Sequence, residues 1–345
     1  MNSKVNPNIR LEDLARALKL SIATVSRAIS DSPRVKPETK KRVKAMAEKM
    51  GYRPNQIAKS LSSGKTNVIG VIIPRYDEPF FIEVCRGIDH IARKYNYRIV
   101  ISSSRNSYKF EKENTFAFEK GVVDGVIMSF THHTKTFTHV DEMISRGLPV
   151  VLFDNVSSKI KGAAHVIIDD YESAFQATDL LIKENNKSIG YISGTVMKTV
   201  FNKRFDGFKE AHIRNNQVYD EKHILNCKSI HQEHEYREVY NFLNKLEHMP
   251  NAFFCSTDNY AMLTIKALIK LGYKVPRDVK VMGFGNLHYS SMFTPELSSV
   301  SQPSFYMGEV SAEILISKIE KDYYFEDGKD EVILPTKIVQ RETTR

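Results

Sequence analysis

Charge and reactive side chains concentrate at the amino end of this chain. Residues 1–65 hold 15 Lys and Arg against 5 Asp and Glu, and residues 66–345 hold 35 against 36, so the excess behind the net charge of +9 lies in the first fifth. A patch that dense either grips a polyanion such as nucleic acid or acts as a solubilising arm. Among the cations, Ser21, Ile22, Ala23, Ser26 and Arg27 carry what a reader of base edges needs: short side chains and one planar fork that fits guanine O6 and N7. Elsewhere the groupings that would support catalysis are weak. Cys227, His231 and His234 have metal-like spacing, but no second ligand cluster follows to complete a structural site. Gly283-Phe284-Gly285 lacks the third glycine of a dinucleotide fingerprint, and there is no G-x-x-x-x-G-K-S/T loop and no local Ser/His/Asp grouping. His132, His133 and His139 have no cysteine nearby and read as a solvated loop. The expectation is a binding protein: not an enzyme, with no cofactor and no metal.

Those side chains need elements to aim them. Leu11, Leu14, Ala15 and Leu18 recur at i, i+3, i+4 and i+7, one face of a short helix. Ser21 is placed to cap a second run in which Ile22, Val25, Ser26 and Ile29 repeat with helical period, and the turn between spans only 19–21. A third helix opens at Pro37, a favoured first residue, runs through Val43, Ala47 and Met50, and stops at Gly51. Three short helices with a tight first turn make a helix-turn-helix unit whose second helix enters the major groove. Ser21 and that helix's N-terminus would hold a phosphate. Lys36, Lys40, Lys41 and Lys44 are backbone grips or solvated charges. Beyond Tyr52-Arg53-Pro54, Asn55 is able to cap a short helix that the Ser62-Ser63-Gly64 run ends. This segment is either a flexible linker or a hinge helix that orders on DNA and pushes Leu61 between base steps in the minor groove.

Leu14-Ala15, Ser21 through Arg27 (SIATVSR), Ser32-Pro33-Arg34-Val35, Pro37-Glu38-Thr39, Gly51-Tyr52-Arg53-Pro54-Asn55 and Ala58-Lys59-Ser60-Leu61 together resemble the lactose-repressor (LacI/GalR) family of transcription regulators. The resemblance implies DNA contacts by Ser21, Ile22, Ala23, Ser26, Arg27, Tyr52, Asn55, Ala58 and Leu61. Two positions bear on detail. Lys19 stands at the family's usual turn glycine, so it must take a left-handed backbone or reshape the turn. Ser30 occupies the place beside the end of the recognition helix, where operator preference is adjusted.

From Asn67 onward, short apolar runs alternate with helical stretches. Strands at 68–73, 99–101, 126–128, 150–153, 189–192, 224–225, 252–255 and 279–284 alternate with helices over 80–95, 108–120, 138–146, 171–184, 201–214, 234–246 and 260–271, and a last strand spans 331–341. The alternation predicts two parallel, doubly wound sheets, hence a bilobed α/β core with a cleft where strand carboxyl ends converge. Asn67 through Val71, Pro79-Phe80-Phe81, Val150 through Asp154, Arg204 through Phe208 and Pro295 through Val300 resemble the effector-binding core of the same family, which is similar to periplasmic sugar-binding proteins. By that resemblance the chain crosses between lobes near 165, 295 and 327, and Arg204 lies in the cleft, able to hold hydroxyls, carboxylate or phosphate bidentately. Asp154 either accepts from sugar hydroxyls or caps a turn. Phe80 and Phe81 either stack on a ring or pack in the core, and Ser129 and Thr257 are positional candidates. Sugar-binding members carry an acidic residue after the glycine–aromatic pair ending the 279–284 strand. Here Asn286 follows Gly285 and replaces a carboxylate only in part. A neutral sugar and an acidic one both stay open.

The chain of 345 residues has room for several domains, and 41% hydrophobic with 26% charged residues excludes a disordered polymer. No apolar stretch approaches the ~20 residues of a membrane span. The polar start over 1–10 argues against a secretory signal, and three widely spaced cysteines (Cys85, Cys227, Cys255) suit a reducing cytosol. The expected organisation is a helix-turn-helix domain over 1–54, a hinge over 55–65, and an effector-binding and dimerisation core over 66–345. Within the core, 66–165 and 296–326 form one subdomain and 166–295 and 327–345 the other. The resemblance implies a cytoplasmic homodimer that reads a near-palindromic operator as a repressor, with affinity set by a small effector. Since the sequence ends soon after the last strand, it also implies no tetramer-forming extension. A transport-type sugar-binding protein and an enzyme on a doubly wound sheet are the alternatives, and the basic helical segment speaks against both.

Overall fold

The structure, a computed structural model, describes residues 9–52, 64–194, 200–228, 232–321 and 331–345. It divides into two compact units, Met1–Thr66 and Asn67–Arg345.

The first unit is helical: α1 (Leu11–Leu18), α2 (Ile22–Ile29) and α3 (Pro37–Met50). Its core is Leu14, Ala15, Leu18, Val25, Ala28, Val35 and Val43. Lys19 accepts the left-handed backbone (φ 53°) that its position demands. That conformation lets the Leu20 amide reach the Ala15 carbonyl at 3.0 Å and close α1, a Schellman-type stop. Gly51 (φ 71°) ends α3 in the same way, with the Tyr52 amide on the Ala47 carbonyl at 2.9 Å. The inward face of α2 differs from its apolar spelling. Val25 and Ala28 are buried, whereas Ile22 and Ser26 point outward, because α1 and α3 cover only that side.

The second unit is α/β, with two six-stranded sheets among its described residues. The first sheet orders β1 (Val68–Ile73), β2 (Arg98–Ser103), β3 (Gly125–Met128), β4 (Val150–Phe153), β5 (Ala164–Ile168) and β11 (Glu331–Leu334) as β2-β1-β3-β4-β5-β11. The second orders β6 (Ile189–Ser193), β7 (Ile224–Asn226), β8 (Ala252–Cys255), β9 (Lys280–Gly285), β10 (Ser298–Ser301) and β12 (Lys337–Val339) as β7-β6-β8-β9-β10-β12. Every pairing is parallel except β10 with β12. Buried runs such as Val150–Phe153 and Ala252–Cys255 carry no polar alternation, as strands covered on both faces require. Helices α4 (Pro79–Lys94), α5 (Tyr108–Glu119), α6 (Thr138–Ser145) and α11 (Ser304–Glu320) attend the first sheet; α7 (Asp170–Lys183), α8 (Val200–Arg214), α9 (Gln232–Asn244) and α10 (Asp258–Lys270) attend the second. Helices α4 and α11 cross so closely that a Cβ on Gly87 would sit 2.0 Å from the Phe305 carbonyl oxygen.

The lobes exchange chain at 169, 302–303 and 335–336, which corrects the expected crossings near 165, 295 and 327. Ser298–Ser301 pairs in parallel with Met282–Gly285, so it belongs to the second lobe, not to the first as the 296–326 boundary requires. Glu331–Leu334 pairs with His165–Ile168 and belongs to the first lobe rather than the second. The expected single strand over 331–341 is two strands in different sheets, divided at Pro335, which has no amide to continue a ladder. The loop reading also fails for His139, which is buried with Nε2 2.9 Å from the buried Glu111 carboxylate.

Candidate functional site

In the first unit the site is a surface. Ser21 caps α2 by accepting from the Thr24 amide at 3.1 Å, which fixes the helix start. Ile22, Ala23, Ser26 and Arg27 are then all exposed on one side. Ile22 leaves 48% of its surface in water beside Ala23 and Arg27. An apolar side chain of this kind beside a guanidinium matches a thymine methyl next to guanine. Lys40 and Lys44 do not stand free as phosphate grips: both reach Asp31 Oδ1, at 3.2 and 3.4 Å, and hold its carboxyl below the usual range. Tyr52 packs on the edge of the unit's core. Asn55, Ala58 and Leu61 lie outside the described residues, as does the hinge helix expected around them.

In the second unit the site is the cleft between lobes. From the first lobe, the loop after β1 and the start of α4 bring Glu78, Phe80 and Phe81, the loop after β3 brings His132, and the end of β4 brings Asp154. From the second, α8 brings Phe201 and Arg204, Thr257 caps α10, and Phe284 comes from β9. A cavity of about 70 Å³ remains among them, room for about two waters. His132 and Phe201 meet across it with ring centroids 5.3 Å apart.

Arg204 lines this cavity, but its charge is already answered. Its Nε lies 2.8 Å from Asp170 Oδ1, as does one terminal nitrogen, and the other donates to the Ser256 carbonyl at 2.6 Å. The guanidinium lies 3.7 Å from the centre of the Phe284 ring. Of its five N–H donors, two have no partner among the described residues. Asp154 is different: it takes a left-handed backbone (φ 57°), lines the cavity, and makes no ion pair among the described residues. Burial, with Asp170 nearby, pushes its carboxyl up to about 7 against the pull of Arg204. Burial also raises the Glu78 carboxyl and lowers His132 to about 4, so that imidazole is neutral.

Two expected ligand residues stand elsewhere. Asn286 does not line the cavity: its Oδ1 accepts from Arg341 at 2.8 Å and its Nδ2 donates to Ser301 Oγ at 3.1 Å, which ties β9, β10 and the C-terminal segment together. Ser129 is fully buried behind the cleft, its Oγ 3.4 Å from the Asn155 amide. Phe81 is mostly core, packed edge-on against Phe153.

A family model for bacterial regulatory proteins of the lacI family matches residues 10–55, and one for periplasmic binding protein-like domains matches 178–344. Catabolite control protein A of Priestia megaterium is 33% identical over 342 residues, 98% of this chain and all of that one. The transcriptional regulator RegA of Clostridium saccharobutylicum is 31% identical over 97% of this chain and 98% of its own. The chain belongs to the lacI family. Among solved structures, the transcription regulator CcpA of Lactococcus lactis matches 81% of this chain and 99% of its own at 26% identity, with a TM-score of 0.71. The lac repressor dimer bound to operator matches 97% of this chain and 99% of its own at 20% identity, with a TM-score of 0.84, a likeness of fold. This lacI-family chain is a DNA-binding transcription regulator.

Several cleft residues of this lacI-family member escape a sequence reading. Phe201 stands one turn before Arg204, a spacing that puts both on one helix face and was available as a signal. His132, Leu287 and Gln302 carry no such signal, since loops and a crossover segment deliver them, and Asn259 stands in the first turn of α10. Cys227, one of the residues with metal-like spacing, is packed in the second lobe's apolar core, where burial pushes its thiol up to about 12; His231 lies outside the described residues.

Proposed function

We propose that this regulator is a cytoplasmic repressor acting as a homodimer. Two copies of the α2 surface read the half-sites of a near-palindromic operator, and a sugar or sugar derivative in the cleft sets operator affinity. Ser21, Ile22, Ala23, Ser26, Arg27 and Tyr52 make the contacts of the helical unit, with Asn55, Ala58 and Leu61 following in the hinge. Phe80, Asp154, Arg204 and Thr257 face the effector, while Phe81, Ser129 and Asn286 brace them. The observation that carries this reading is the α2 face, on which Ile22, Ala23, Ser26 and Arg27 are exposed together behind a Ser21 cap. The solved lac repressor is a dimer on its operator, and the CelR regulator was solved with cellobiose. Closing lobes on a ligand moves whatever the first lobe is attached to, so effector and DNA affinities are linked in both directions. The role requires no chemical step.

The test is fluorescence anisotropy of the full chain with duplexes from its own chromosomal neighbourhood, across a salt series. The expected result is one fragment bound roughly a thousandfold tighter than random duplex, weakening steeply with salt. Equal affinity for all fragments contradicts the reading.

A further inference from the structure

The cleft combines an acidic field with aromatic walls. Glu78 and Asp154 line it, Asp77, Glu78 and Glu235 act on Arg75, and Asp154 and Asp170 act on Arg204. Arg204 is taken up by Asp170, and Arg75 by Asp77 at 2.8 Å and by Glu78 at 3.6 Å. That leaves Asp154 on the cavity wall with no ion-pair partner among the described residues, in a cavity that Phe80, Phe201 and Phe284 also line. We propose that the cleft selects a small hydroxylated ligand carrying a positive charge: an amino sugar, or an amine of that size.

Two features point to a ligand rather than to a structural acidic cluster. Gln302, 9% exposed, lines the cavity with Nε2 buried and without a hydrogen-bond partner among the described residues. His132 Nδ1 is likewise buried and without a partner among them at the same cavity. Such groups are costly to bury unmet, and hydroxyls of a ligand would satisfy both. An ammonium would then sit against Asp154 in a cavity that the Phe80 and Phe201 rings also line, where the attraction of a cation to a π system is strongest out of water. The opposite ligand charge is disfavoured. A carboxylate or phosphate bound here would hold Asp154 and Glu78 in their neutral forms, an added cost. The cavity of about 70 Å³ is smaller than the ~300–1,000 Å³ of sites that enclose a ligand, so the His132–Phe201 contact must part on entry. Binding of an ammonium restores the ionised form of Asp154 and therefore releases a proton near neutral pH.

This inference rests on the cleft being the effector site of the proposed regulator, and the experiment keeps the two apart. The full-length chain is titrated by calorimetry at neutral pH with D-glucosamine, D-galactosamine, D-glucose and D-glucuronate. Each titration is repeated in two buffers of different ionisation enthalpy. Expected is at least about tenfold tighter binding of one amino sugar than of either uncharged or acidic probe, with proton release into the buffer. For Asp154→Asn the preference and the proton release are both expected to vanish. Equal or tighter binding of glucose or glucuronate overturns the proposal, as does binding of none of the four. Operator anisotropy on the same preparation reports separately: a chain that binds its operator yet shows no amine preference loses this inference alone.

Discussion

At the scale of single residues, the two sites use opposite economies. The α2 surface leaves Ile22 and Arg27 in water, waiting for a partner, while the cleft buries charged groups and answers nearly all of them internally. Arg27 is exposed, and its side chain takes no part in the unit's core. Arg27→Ala is therefore expected to cost ~1–3 kcal/mol on the correct operator and little on random duplex, measured by competition anisotropy. Equal losses on both would reduce Arg27 to a phosphate grip. Asp154 gives a second prediction, with its sign set by burial. Its carboxyl is raised from 3.8 to about 7, with Asp170 and Glu78 pushing it up and Arg204 pulling it down. A raised carboxyl contributes stability that is present below its unfolded value and lost as pH rises through the folded one. Asp154→Asn keeps the shape, tolerates the left-handed backbone and removes the ionisation. The melting temperature of the variant should exceed that of the parent at about pH 8, with the gain shrinking toward about pH 4. A gain that grows on acidification would contradict the account. Arg204 was legible as a cleft residue, but its pairing with Asp170 was not. Thirty-four positions separate the two in the chain, and no local spacing announces a contact between helices.

At the scale of elements, the helical unit was legible almost to the residue, and the reason is local. Ser21, Pro37 and Gly51 set helix ends by chemistry confined to a turn, so their positions in the sequence are their positions in the fold. Lys19 is the exception that was foreseen, a non-glycine in a left-handed turn. The conformation costs an L-residue roughly 1–2 kcal/mol, partly offset because glycine loses more backbone freedom on folding. Lys19→Gly should accordingly raise the stability of the full chain's first transition by about 0.5–1 kcal/mol in urea, and a decrease would show the turn to be held by something other than its backbone. Strand assignment fared less well where pairing is remote. Ala164–Ile168 and Ser298–Ser301 are short, and each gains its identity from strands that are not its neighbours in a hairpin, as does the division of the C-terminal strand at Pro335.

At the scale of the whole molecule, the charge asymmetry and the two sheets were readable because both are sums over long stretches, insensitive to any one residue. The points where chain passes between lobes were misplaced because they depend on which sheet accepts a four-residue strand, a question of tertiary pairing. Gln302 sits at one such passage with an unmet amide in the cleft, and so joins the hinge of the lobes to the ligand site. The account rests on the first unit reading base sequence in duplex DNA through α2. The most direct test is selection of duplexes from a random pool by the purified full-length chain, followed by sequencing over successive rounds. The account predicts enrichment of an inverted repeat whose half-sites lie on one face of the double helix, with the enriched bases relaxing at one position when the Arg27→Ala chain is used. Rounds that retain DNA with no sequence enriched over the starting pool would contradict it.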